Sequence, residues 1–482
     1  MHVAFVGTYG LWSPHLETEL ELAERHLEQG DRVTWALCDG AFEACETNPG
    51  HDEIRCRQCT WRIEMGLGLL SAPVELSRLD DWLTEEDRAR ADAVPTGLST
   101  YEELRALEVD ELDAGWGALS SAIWLARDAV IDPSSDLVAR LTRAGVKGML
   151  ATRRLLDAHP TIERVYVFNG RLAPMRGVLR AVTARAAAGR TIDCLVHERG
   201  QDLQHYALFP NSMPHDIGVN VRRANESWDE SDRSLEERRR VAVEWYENRA
   251  RGKQGSWFSF VDDQQAGNLP AGWDPDARNV VLFTTTEYEF VAIGKEWESP
   301  LFPTPHAATM QIARGLSARG KVHLTIRLHP NPEGRGSQSV AESLALDLPG
   351  VTVIPPESEV STYELMRAAD VVVSSGSTAG VEATFWGKPS VLAGRSLYSG
   401  LGACHEPESV EELLDMLEDP ALGQADHEGA LRYGFFQATR GEPFRYFESR
   451  DVFDGHFKGV QVTPSPLQKR ILRLRSALAA RR

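Results

Sequence analysis

The sequence has no long hydrophobic run. None of its 482 residues lies in an uninterrupted apolar stretch of the roughly 18–20 residues that a membrane-spanning helix needs. The opening MHVAFVGTYG also lacks the basic region and small-residue cleavage site of a secretory signal. We therefore expect a cytoplasmic protein.

Basic residues are scarce relative to acidic ones. Lys and Arg number 52 against 71 Asp and Glu, which gives a formal net charge of −19. Binding to nucleic acid needs a basic face, so no nucleic-acid partner is expected. An anionic small ligand would need a local positive site within this acidic field.

Cysteine is also rare, since the chain has six, too few for a disulfide scaffold. Four of them are close in sequence: Cys38, Cys45, Cys56 and Cys59. Cys56 and Cys59 form a C-x-x-C half-site of the kind that binds zinc, and the other two could complete a tetrahedral site. A structural zinc is the leading interpretation. Unligated thiols, and an iron–sulfur or redox role, are the alternatives.

The sequence does contain a repeated alternation of apolar strands and amphipathic helices. HVAFV predicts a strand, LETELELAERHLEQG a helix that ends at Gly30, and DRVTWALC a second strand. Such β-α-β units build parallel sheets. Further strands are predicted over 164–169 and 191–198. The acidic, largely helical stretch 74–160 is interpreted as an insertion.

The alternation resumes beyond a polar stretch rich in Gly, Pro and Asp. NVVLFTTTE, KVHLTIRLHP, GVTVI, VVVSS and KPSVLAG predict strands, with helices between them. We therefore predict an α/β fold with two Rossmann-like, doubly wound domains facing a cleft. The parts are an N-terminal domain with the insertion and the cysteines (1–262), a linker (263–278), a C-terminal domain (279–440) and a tail (441–482).

The end of the tail is basic. SPLQKRILRLRSALAARR (465–482) predicts an amphipathic helix with an apolar stripe and Lys and Arg over much of the rest. A surface helix packed on the body is one interpretation. Peripheral contact with an anionic membrane at its inner face is the other.

A serine-rich turn in the second half is the strongest candidate site. The strand VVVSS ends in Ser374 and Ser375, turns at Gly376, and leads into a helix whose start carries Ser377 and Thr378. The N–H groups and dipole at a helix start favour phosphate, and hydroxyls add donors. Glu382, one turn later, could accept hydrogen bonds from ribose hydroxyls. An ordinary capped helix is the competing interpretation.

A histidine ends a neighbouring strand. In IRLHPNP, His329 stands where the strand meets the predicted cleft, and Arg327 lies two positions before it on the same face. The imidazole there could donate a hydrogen bond to a phosphate or to a leaving nucleotide. A structural histidine is the alternative.

These segments resemble those of capsule-polysaccharide Kdo transferases and bacterial sialyltransferases, which have the GT-B fold. The shared features are the His329-Pro330 dipeptide, the serine turn, the run from Ser377 to Ala383, Gly387-Lys388-Pro389 and Tyr398-Ser399-Gly400. The resemblance covers about 120 residues of the C-terminal domain. It implies that His329 and the serines Ser374, Ser375 and Ser377 hold the donor phosphate and that Glu382 holds the ribose. CMP-linked sugars are among the donors it implies.

The acceptor side is predicted at the ends of strands 164–169 and 191–198. These ends carry an amide, guanidiniums and an imidazole, which could bind an acceptor sugar: Asn169, Arg171, Arg176 and His197. Glu198 is the first candidate for the base that takes the acceptor proton, in a position that resembles the acidic-Gly element of sialyltransferases. His15 is the second. A structural ion pair of Glu198 with Arg171 is the alternative.

We therefore expect a glycosyltransferase that moves a sugar from a nucleotide-activated donor to a glycan or glycolipid acceptor in surface-polysaccharide synthesis. The catalytic groups would be Glu198, His15 and His329. Because no persuasive Asp-x-Asp clamp is present, no catalytic metal is expected. A polyol-phosphate transferase, a sugar-nucleotide 2-epimerase and a non-catalytic nucleotide-sugar-binding scaffold are the competing functions.

Overall fold

A computed structural model describes residues 1–253, 255, 264, 267–331, 333 and 336–463. The chain divides into two compact units. Unit 1 comprises Met1–Leu125, Ile131–Pro214 and the chain from Gly441 onward; unit 2 comprises Ala126–Val130 and His215–Arg440. The chain therefore enters unit 2 twice.

The strands, in chain order, are β1 (His2–Gly7), β2 (Arg32–Leu37), β3 (Glu75–Arg78), β4 (Arg164–Phe168), β5 (Asp193–Arg199), β6 (His205–Pro210), β7 (Asn279–Phe283), β8 (His323–Arg327), β9 (Val351–Ile354), β10 (Val371–Ser374), β11 (Ser390–Leu392), β12 (Glu442–Pro443), β13 (Phe447–Asp451) and β14 (Asp454–Phe457).

The helices, in the same order, are α1 (His15–Glu28), α2 (Glu53–Leu67), α3 (Glu85–Asp92), α4 (Tyr101–Arg105), α5 (Ala114–Ala126), α6 (Asp136–Ala158), α7 (Ala173–Ala187), α8 (Ile217–Asp229), α9 (Leu235–Ala250), α10 (Glu287–Phe290), α11 (Pro305–Arg319), α12 (Gln338–Leu344), α13 (Thr362–Ala368), α14 (Ala379–Phe385), α15 (Val410–Glu418) and α16 (His427–Thr439). Short 3-10 helices span Leu79–Trp82 and Lys295–Trp297.

The sheet of unit 1 has the order β12-β6-β5-β4-β1-β2-β3. The strands β5, β4, β1, β2 and β3 are parallel, and β6 and β12 add to the β5 side in antiparallel register. Phe5 stacks between Trp35 and Tyr166 on one face of this sheet, with ring centroids 5.0 and 4.8 Å away. Strand β1 is buried along its whole length, as expected for the centre of a parallel sheet.

Unit 2 contains a five-stranded parallel sheet of order β11-β10-β7-β8-β9. Alternate residues of β7 point to opposite faces. Val280 and Leu282 join one core cluster, and Val281 and Phe283 join another. Apolar clusters on both faces are typical of a doubly wound sheet, so the strand is apolar throughout.

Both sheets share one strand order. In each sheet the first strand in the chain is central, the second and third strands follow on one side of it, and the fourth and fifth strands follow on the other side. This 3-2-1-4-5 order is the Rossmann arrangement. The predicted α/β class with two Rossmann-like units is therefore confirmed, and so is the helical character of the insertion, which supplies α3 to α6 between β3 and β4.

The division of the chain differs from the predicted one. Residues His215–Ala250 lie in unit 2 rather than in the N-terminal domain, because α8 and α9 pack against α16; Ala224, Tyr246 and Phe436 share one cluster. The described part of the predicted linker lies inside unit 2 as well. The tail begins with strands β12 to β14 of unit 1, where Phe447 joins the core.

Five strands of unit 1 are absent from the prediction: β3, β6, β12, β13 and β14. Strand β3 has the polar sequence ELSR and lies at the sheet edge, and β6 is an antiparallel strand between β5 and the short edge strand β12. The predicted helix over 465–482, with its proposed membrane contact, lies outside the described residues. Among the residues that the structure describes, no helix is both long and apolar enough to cross a membrane.

Candidate functional site

Unit 2 has a pocket at the point where the strand order of its sheet reverses. Strands β7 and β10 are neighbours, but the chain continues from them towards opposite edges. Ligands of open parallel sheets bind outside the carboxyl ends of the strands at such a point. The pocket here encloses about 560 Å³ of space, including solvent at its mouth.

The walls of this pocket are rich in hydroxyl groups. The segments after three parallel strands contribute Thr284, Thr285, Thr286, Leu328, His329, Asn331 and Ser375. The helices α10, α11 and α12 and the residue before α12 contribute Glu287, Tyr288, Pro305, His306, Thr309, Ser337, Ser339, Val340 and Ser343. The segment Arg127–Ala129 completes the wall. Hydroxyls and amides are suited to a ligand with many oxygen atoms.

His329 is held as a neutral imidazole in this wall. The backbone N–H of Asn331 donates to its Nδ1 (3.1 Å), and the Thr286 hydroxyl lies 3.1 Å from the same nitrogen. Because Nδ1 accepts, the proton of the neutral ring is assigned to Nε2. Burial, and then the charges of Arg327 and Arg249, lower the pKa of His329 to about 4. The ring is therefore a hydrogen-bond donor without a charge at neutral pH.

Ser375 is the second predicted residue that lines the pocket. It is 2% exposed, and its Oγ has no hydrogen-bond partner among the described residues. A buried hydroxyl without a partner costs stability. Gly376 follows it with φ +128°, and a Cβ there would lie 2.7 Å from the Arg395 carbonyl oxygen. The turn that positions Ser375 therefore needs glycine.

The other hydroxyls of the serine turn serve the turn itself. Ser374 Oγ donates to the carbonyl of Ser377 (3.0 Å) and accepts from the N–H of Gly376 (3.2 Å). Ser377 Oγ accepts from the N–H of Ala379, and Thr378 Oγ1 accepts from Arg249. None of these three hydroxyls lines the pocket. Helix α14 follows this turn and has seven residues, Ala379–Phe385.

Arg327 and Glu382 also lie away from the pocket wall. The Arg327 guanidinium donates to the carbonyl oxygens of Pro355 and Ser358 and so holds the loop after β9. Glu382 Oε1 accepts from Arg249 Nε (3.0 Å) and Nη2 (2.9 Å). Its Oε2 accepts from the Tyr363 hydroxyl (2.6 Å). Both carboxylate oxygens are thus engaged inside the protein.

Unit 1 has an aromatic cluster at the equivalent ends of its own sheet. His15, at the start of α1, stacks on Phe168 at the end of β4, with ring centroids 3.6 Å apart. Trp12 contacts both rings, and Trp124 lies 4.8 Å from Trp12. Both tryptophans are half-buried. Burial, and then the charge of Arg199, lower the pKa of His15 well below its usual value, which makes it a weak base.

Glu198 and His197 are close to this cluster at the end of β5. Glu198 Oε2 accepts from Asn169 Nδ2 (2.9 Å), and its Oε1 accepts from the N–H of Arg199 (3.0 Å). The His197 ring is fully buried, with Nε2 at 3.4 Å from Glu19 Oε1 and a buried Nδ1 that has no partner among the described residues. Asn169 has the left-handed φ of +61°, a conformation that is uncommon outside glycine.

The remaining predicted acceptor residues are engaged in the structure of unit 1. Arg176 donates to Asp113 (2.5 Å) and to the carbonyl of Arg171 (3.3 Å). Asp113 also binds Arg180. Burial raises the pKa of Asp113, but the hydrogen bonds and charges of Arg176 and Arg180 lower it more, so the pKa lies well below its usual value. The buried Arg176 is therefore a structural ion-pair member. Arg171 is 6% exposed, and its N–H donates to Asn169 Oδ1 (3.3 Å).

The four cysteines do not form the predicted zinc site. Within the described residues, which include Cys38, Cys45, Cys56 and Cys59, no group of three or more His, Cys, Asp or Glu side chains could hold a metal ion. All four are free thiols. Cys56 and Cys59 lie on α2, and Cys56 Sγ accepts from Asn48 Nδ2 (3.1 Å). Burial raises the pKa of Cys59 to about 11 and that of Cys45 to about 12, so the thiols are protonated.

Sequence reasoning missed several residues of both clusters. Thr284–Thr286 directly follow the first strand of unit 2, so their position after that strand is a signal that could have found them. Trp12 similarly precedes α1 in the loop after β1. Arg127 carries no such signal, because its segment of unit 2, Ala126–Val130, is far in sequence from the strands of that unit.

No protein family and no curated protein matches this sequence. Among solved structures, the KpsC β-Kdo 2,4 transferase of Thermosulfurimonas dismutans aligns with 57% of this chain and 79% of its own, at 13% identity and TM-score 0.37. The glycosyltransferase SnogD of Streptomyces nogalater aligns with 92% and 96%, at 12% identity and TM-score 0.24. UDP-GlcNAc 2-epimerase of Neisseria meningitidis, bound to UDP-GlcNAc, aligns with 91% and 97%, at 12% identity and TM-score 0.27. Similarity this weak carries no argument about function.

Proposed function

We propose that this protein is a nucleotide-sugar-dependent glycosyltransferase whose donor binds in the pocket of unit 2. One observation carries the proposal. At the ends of three parallel strands, a neutral His329 and the partnerless buried hydroxyl of Ser375 line one hydroxyl-rich pocket. A ligand oxygen beside Ser375 would satisfy a group that is costly to leave without a hydrogen bond.

His329 is proposed to stabilise the leaving nucleotide. During sugar transfer, negative charge develops on the phosphate oxygen that leaves the sugar. A donor held in advance at that oxygen lowers the barrier. The Nε2–H of a neutral imidazole can fill this role at every pH above its lowered pKa of about 4. The resemblance to Kdo transferases and sialyltransferases gives the same role to this histidine and makes CMP-linked sugars the first donors to test.

The acceptor is proposed to bind unit 1, with Glu198 as the base. Glu198 is half-buried at the end of β5 and is oriented by Asn169. His15 is the weaker candidate, because its strongly lowered pKa reduces its affinity for a proton. A glycan or glycolipid of the cell surface is the acceptor class that the resemblance suggests.

A panel of donors tests this proposal. CMP-Kdo, CMP-sialic acid, a UDP-sugar, a GDP-sugar and CDP-glycerol are titrated against the purified protein, with binding measured by calorimetry and thermal shift. We expect one class to bind, and His329→Ala and Ser375→Ala to weaken that binding at least about ten-fold. His405→Ala is the matched control. It removes a histidine of unit 2 that does not line the pocket.

Turnover then separates the competing functions. Nucleotide release that needs an added glycan acceptor, and that is lost in Glu198→Gln, supports a transferase. Change of the donor sugar without an acceptor indicates a 2-epimerase, and a response to CDP-glycerol alone indicates a polyol-phosphate transferase. Binding without turnover, unaffected by Glu198→Gln, indicates a scaffold. A folded protein that binds no member of the panel would refute the proposed donor site.

A further inference from the structure

A short segment from the first part of the chain belongs to unit 2 and lines its pocket. Helices α5 and α6 come from the predicted insertion, but the segment Ala126–Val130, which begins at the last residue of α5, belongs to unit 2. Asp128 anchors the segment there. Its Oδ2 accepts from the N–H of Gln338 at the start of α12 (3.0 Å), and its Oδ1 accepts from the N–H of Val130 (3.0 Å).

Arg127 is the only lysine or arginine among the described residues that line this pocket. Its Nε lies 3.2 Å from Glu333 Oε2, and its guanidinium carbon lies 5.1 Å from the centre of the Tyr288 ring. The Tyr288 hydroxyl also donates to Glu333 (3.1 Å) and accepts from Asn331 (3.1 Å). The guanidinium is therefore positioned from two sides, while its side chain keeps 28% exposure.

The backbone of Arg127 is left-handed, with φ +55°. This conformation is uncommon for a residue with a Cβ and costs stability that neighbouring contacts must supply. Asn or Gly would occupy the position without that cost. An arginine held there by the Asp128 anchors is the kind of strained residue that occurs at ligand sites.

The carboxylates around Arg127 are engaged in ways that leave the pocket open to an anion. Asp128 accepts backbone N–H groups through both oxygens. Glu287 Oε1 accepts from the N–H of His306 (3.1 Å). Glu333 is 47% exposed, and an exposed ion pair is weak and readily rearranged. Because a guanidinium has five N–H donors, it can bind a second anion while it keeps its first partner.

We propose that Arg127 binds the phosphate of a nucleotide in the unit 2 pocket. The nucleotide is a nucleoside monophosphate or a nucleoside diphosphate. The inference rests on the proposed function and adds to it the residue that attracts the anion. In a chain of net charge −19, a phosphate-bearing ligand needs a local cation. Within the described wall, only Arg127 supplies one that is charged at every pH, since His329 is neutral.

Binding of matched ligands to matched variants tests this assignment. UDP, CMP, uridine, cytidine and inorganic phosphate are titrated against the full-length protein by calorimetry. Arg127→Asn is the main variant, because asparagine tolerates the left-handed backbone and removes the charge. We expect it to weaken binding of the preferred nucleotide about ten-fold or more and to leave binding of the matching nucleoside within about two-fold.

Two further variants act as controls. Arg127→Lys keeps the charge and should keep more of the nucleotide affinity than Arg127→Asn does. Arg367→Ala removes an arginine of unit 2 with 53% exposure that pairs with Glu364 and does not line the pocket. It should bind nucleotide as the wild-type protein does. Inorganic phosphate binding lost in Arg127→Asn would support the same contact.

The outcomes separate this inference from the proposed function. If the wild-type protein binds no nucleotide, both are overturned. If it binds a nucleotide and Arg127→Asn binds it equally well, the donor pocket stands and the role of Arg127 is refuted. An equal loss for nucleotide and nucleoside would also refute the role, because that pattern indicates damage to the pocket rather than loss of a phosphate contact.

Discussion

At the scale of single residues, His329 illustrates how surroundings fix a protonation state. The wall of the unit 2 pocket lowers the pKa of His329 to about 4, whereas a histidine in an unfolded chain titrates near 6.5. Between these two values the unfolded chain binds a proton that the folded protein excludes. This difference links protonation of one side chain to the stability of the fold.

The stability of the protein should therefore fall in mild acid in a way that depends on His329. Because the pKa of the folded state is the lower one, the contribution is present above pH 6.5 and is lost as the pH falls towards 4. Between pH 7 and pH 5 we expect His329 to account for roughly 1–2 kcal/mol. Urea unfolding of the wild-type protein and of His329→Gln at both pH values measures this. Equal pH dependence of the two proteins would contradict it.

The position of Glu382 in the sequence suggests that it binds ribose, whereas its contacts in the structure suggest a structural role. Its carboxylate is 4% exposed and pairs with Arg249, which is 40% exposed, and with the Tyr363 hydroxyl. Removal of one member of a buried pair leaves the others without partners and costs stability. A structural role follows from these contacts, whereas a ribose-binding role would require the carboxylate to leave them.

Glu382→Ala should therefore destabilise the protein before it changes ligand affinity. We expect a loss of about 3 kcal/mol in the free energy of unfolding, measured by chemical denaturation. Glu364→Ala, which breaks an exposed pair with Arg367 in the same unit, should cost less than about 1 kcal/mol. If Glu382→Ala folds as stably as the wild-type protein and loses nucleotide binding, the ribose-binding role is correct.

The sequence predicts part of the candidate site and misses part for an identifiable reason. His329 and Ser375 directly follow predicted strands, and such positions converge in any parallel sheet. Arg327 is the last residue of β8, and its guanidinium is engaged by the loop after β9 rather than by the pocket. Contacts of that kind join residues far apart in sequence, so no local pattern indicates them.

At the scale of elements, the helices α6 and α7 pack closely through glycines. A Cβ on Gly177 of α7 would lie 2.1 Å from the carbonyl oxygen of Gly145 and 2.8 Å from the backbone nitrogen of Met149 on α6. Gly148 contacts the backbone of Pro174 in the same way. These glycines set the separation of the two helices, because backbone meets backbone with no side chain between them.

Gly177→Ala should force these two helices apart. We expect a loss of roughly 3 kcal/mol, measured by thermal and chemical unfolding. Gly218→Ala is a matched control, since Gly218 lies in helix α8 and a Cβ there would have no neighbour within 4 Å. That change should be neutral or stabilising by up to about 1 kcal/mol. Similar losses for both variants would mean that the close approach of α6 and α7 is not what Gly177 provides.

Strands were predictable from the sequence where an apolar run of residues is also buried in the sheet. Strands β1, β7 and β10 consist mostly of apolar residues and are buried inside a sheet, so the sequence predicts them. Strand β3 lies at a sheet edge and has the polar sequence ELSR, and β6 is an antiparallel strand between β5 and the two-residue strand β12. Strands at or next to the edge of a sheet form because they pair with a neighbouring strand, and they need no continuous apolar pattern. The sequence alone therefore does not reveal them.

At the scale of the whole molecule, the chain returns to unit 1 after completing unit 2. Glu21 of α1 holds the returning segment. Its carboxylate accepts from the backbone N–H groups of Arg445 (2.9 Å), Tyr446 (2.7 Å) and Phe447 (3.2 Å). Arg25 Nε binds the same carboxylate (2.8 Å). One buried anion thus fixes three consecutive backbone groups.

Glu21→Gln should release this segment while the rest of the protein stays folded. The glutamine amide would place its own N–H donors against backbone N–H groups, which are also donors. We therefore expect the free energy needed to open this segment to fall by about 2 kcal/mol. Trypsin cleavage at Arg450 and Lys458, followed by mass spectrometry, should accelerate at least ten-fold. Glu28→Gln changes an exposed carboxylate that contacts the side chains of Arg445 and Tyr446, and it should leave the cleavage rate unchanged. Equal rates for both variants would contradict the anchoring role.

The pairing of β12 with β6 also has a consequence for synthesis. Glu442 and Pro443 pair with Tyr206 and His205, and the ribosome makes His215–Arg440, the larger part of unit 2, between these two strands. At about 5–20 residues per second, the nascent chain carries β6 as an open sheet edge for roughly 10–50 s. Such an open edge is a template for pairing with other chains. The strand that finally covers it has two residues, and because Pro443 lacks an N–H, it offers the next chain little to bind.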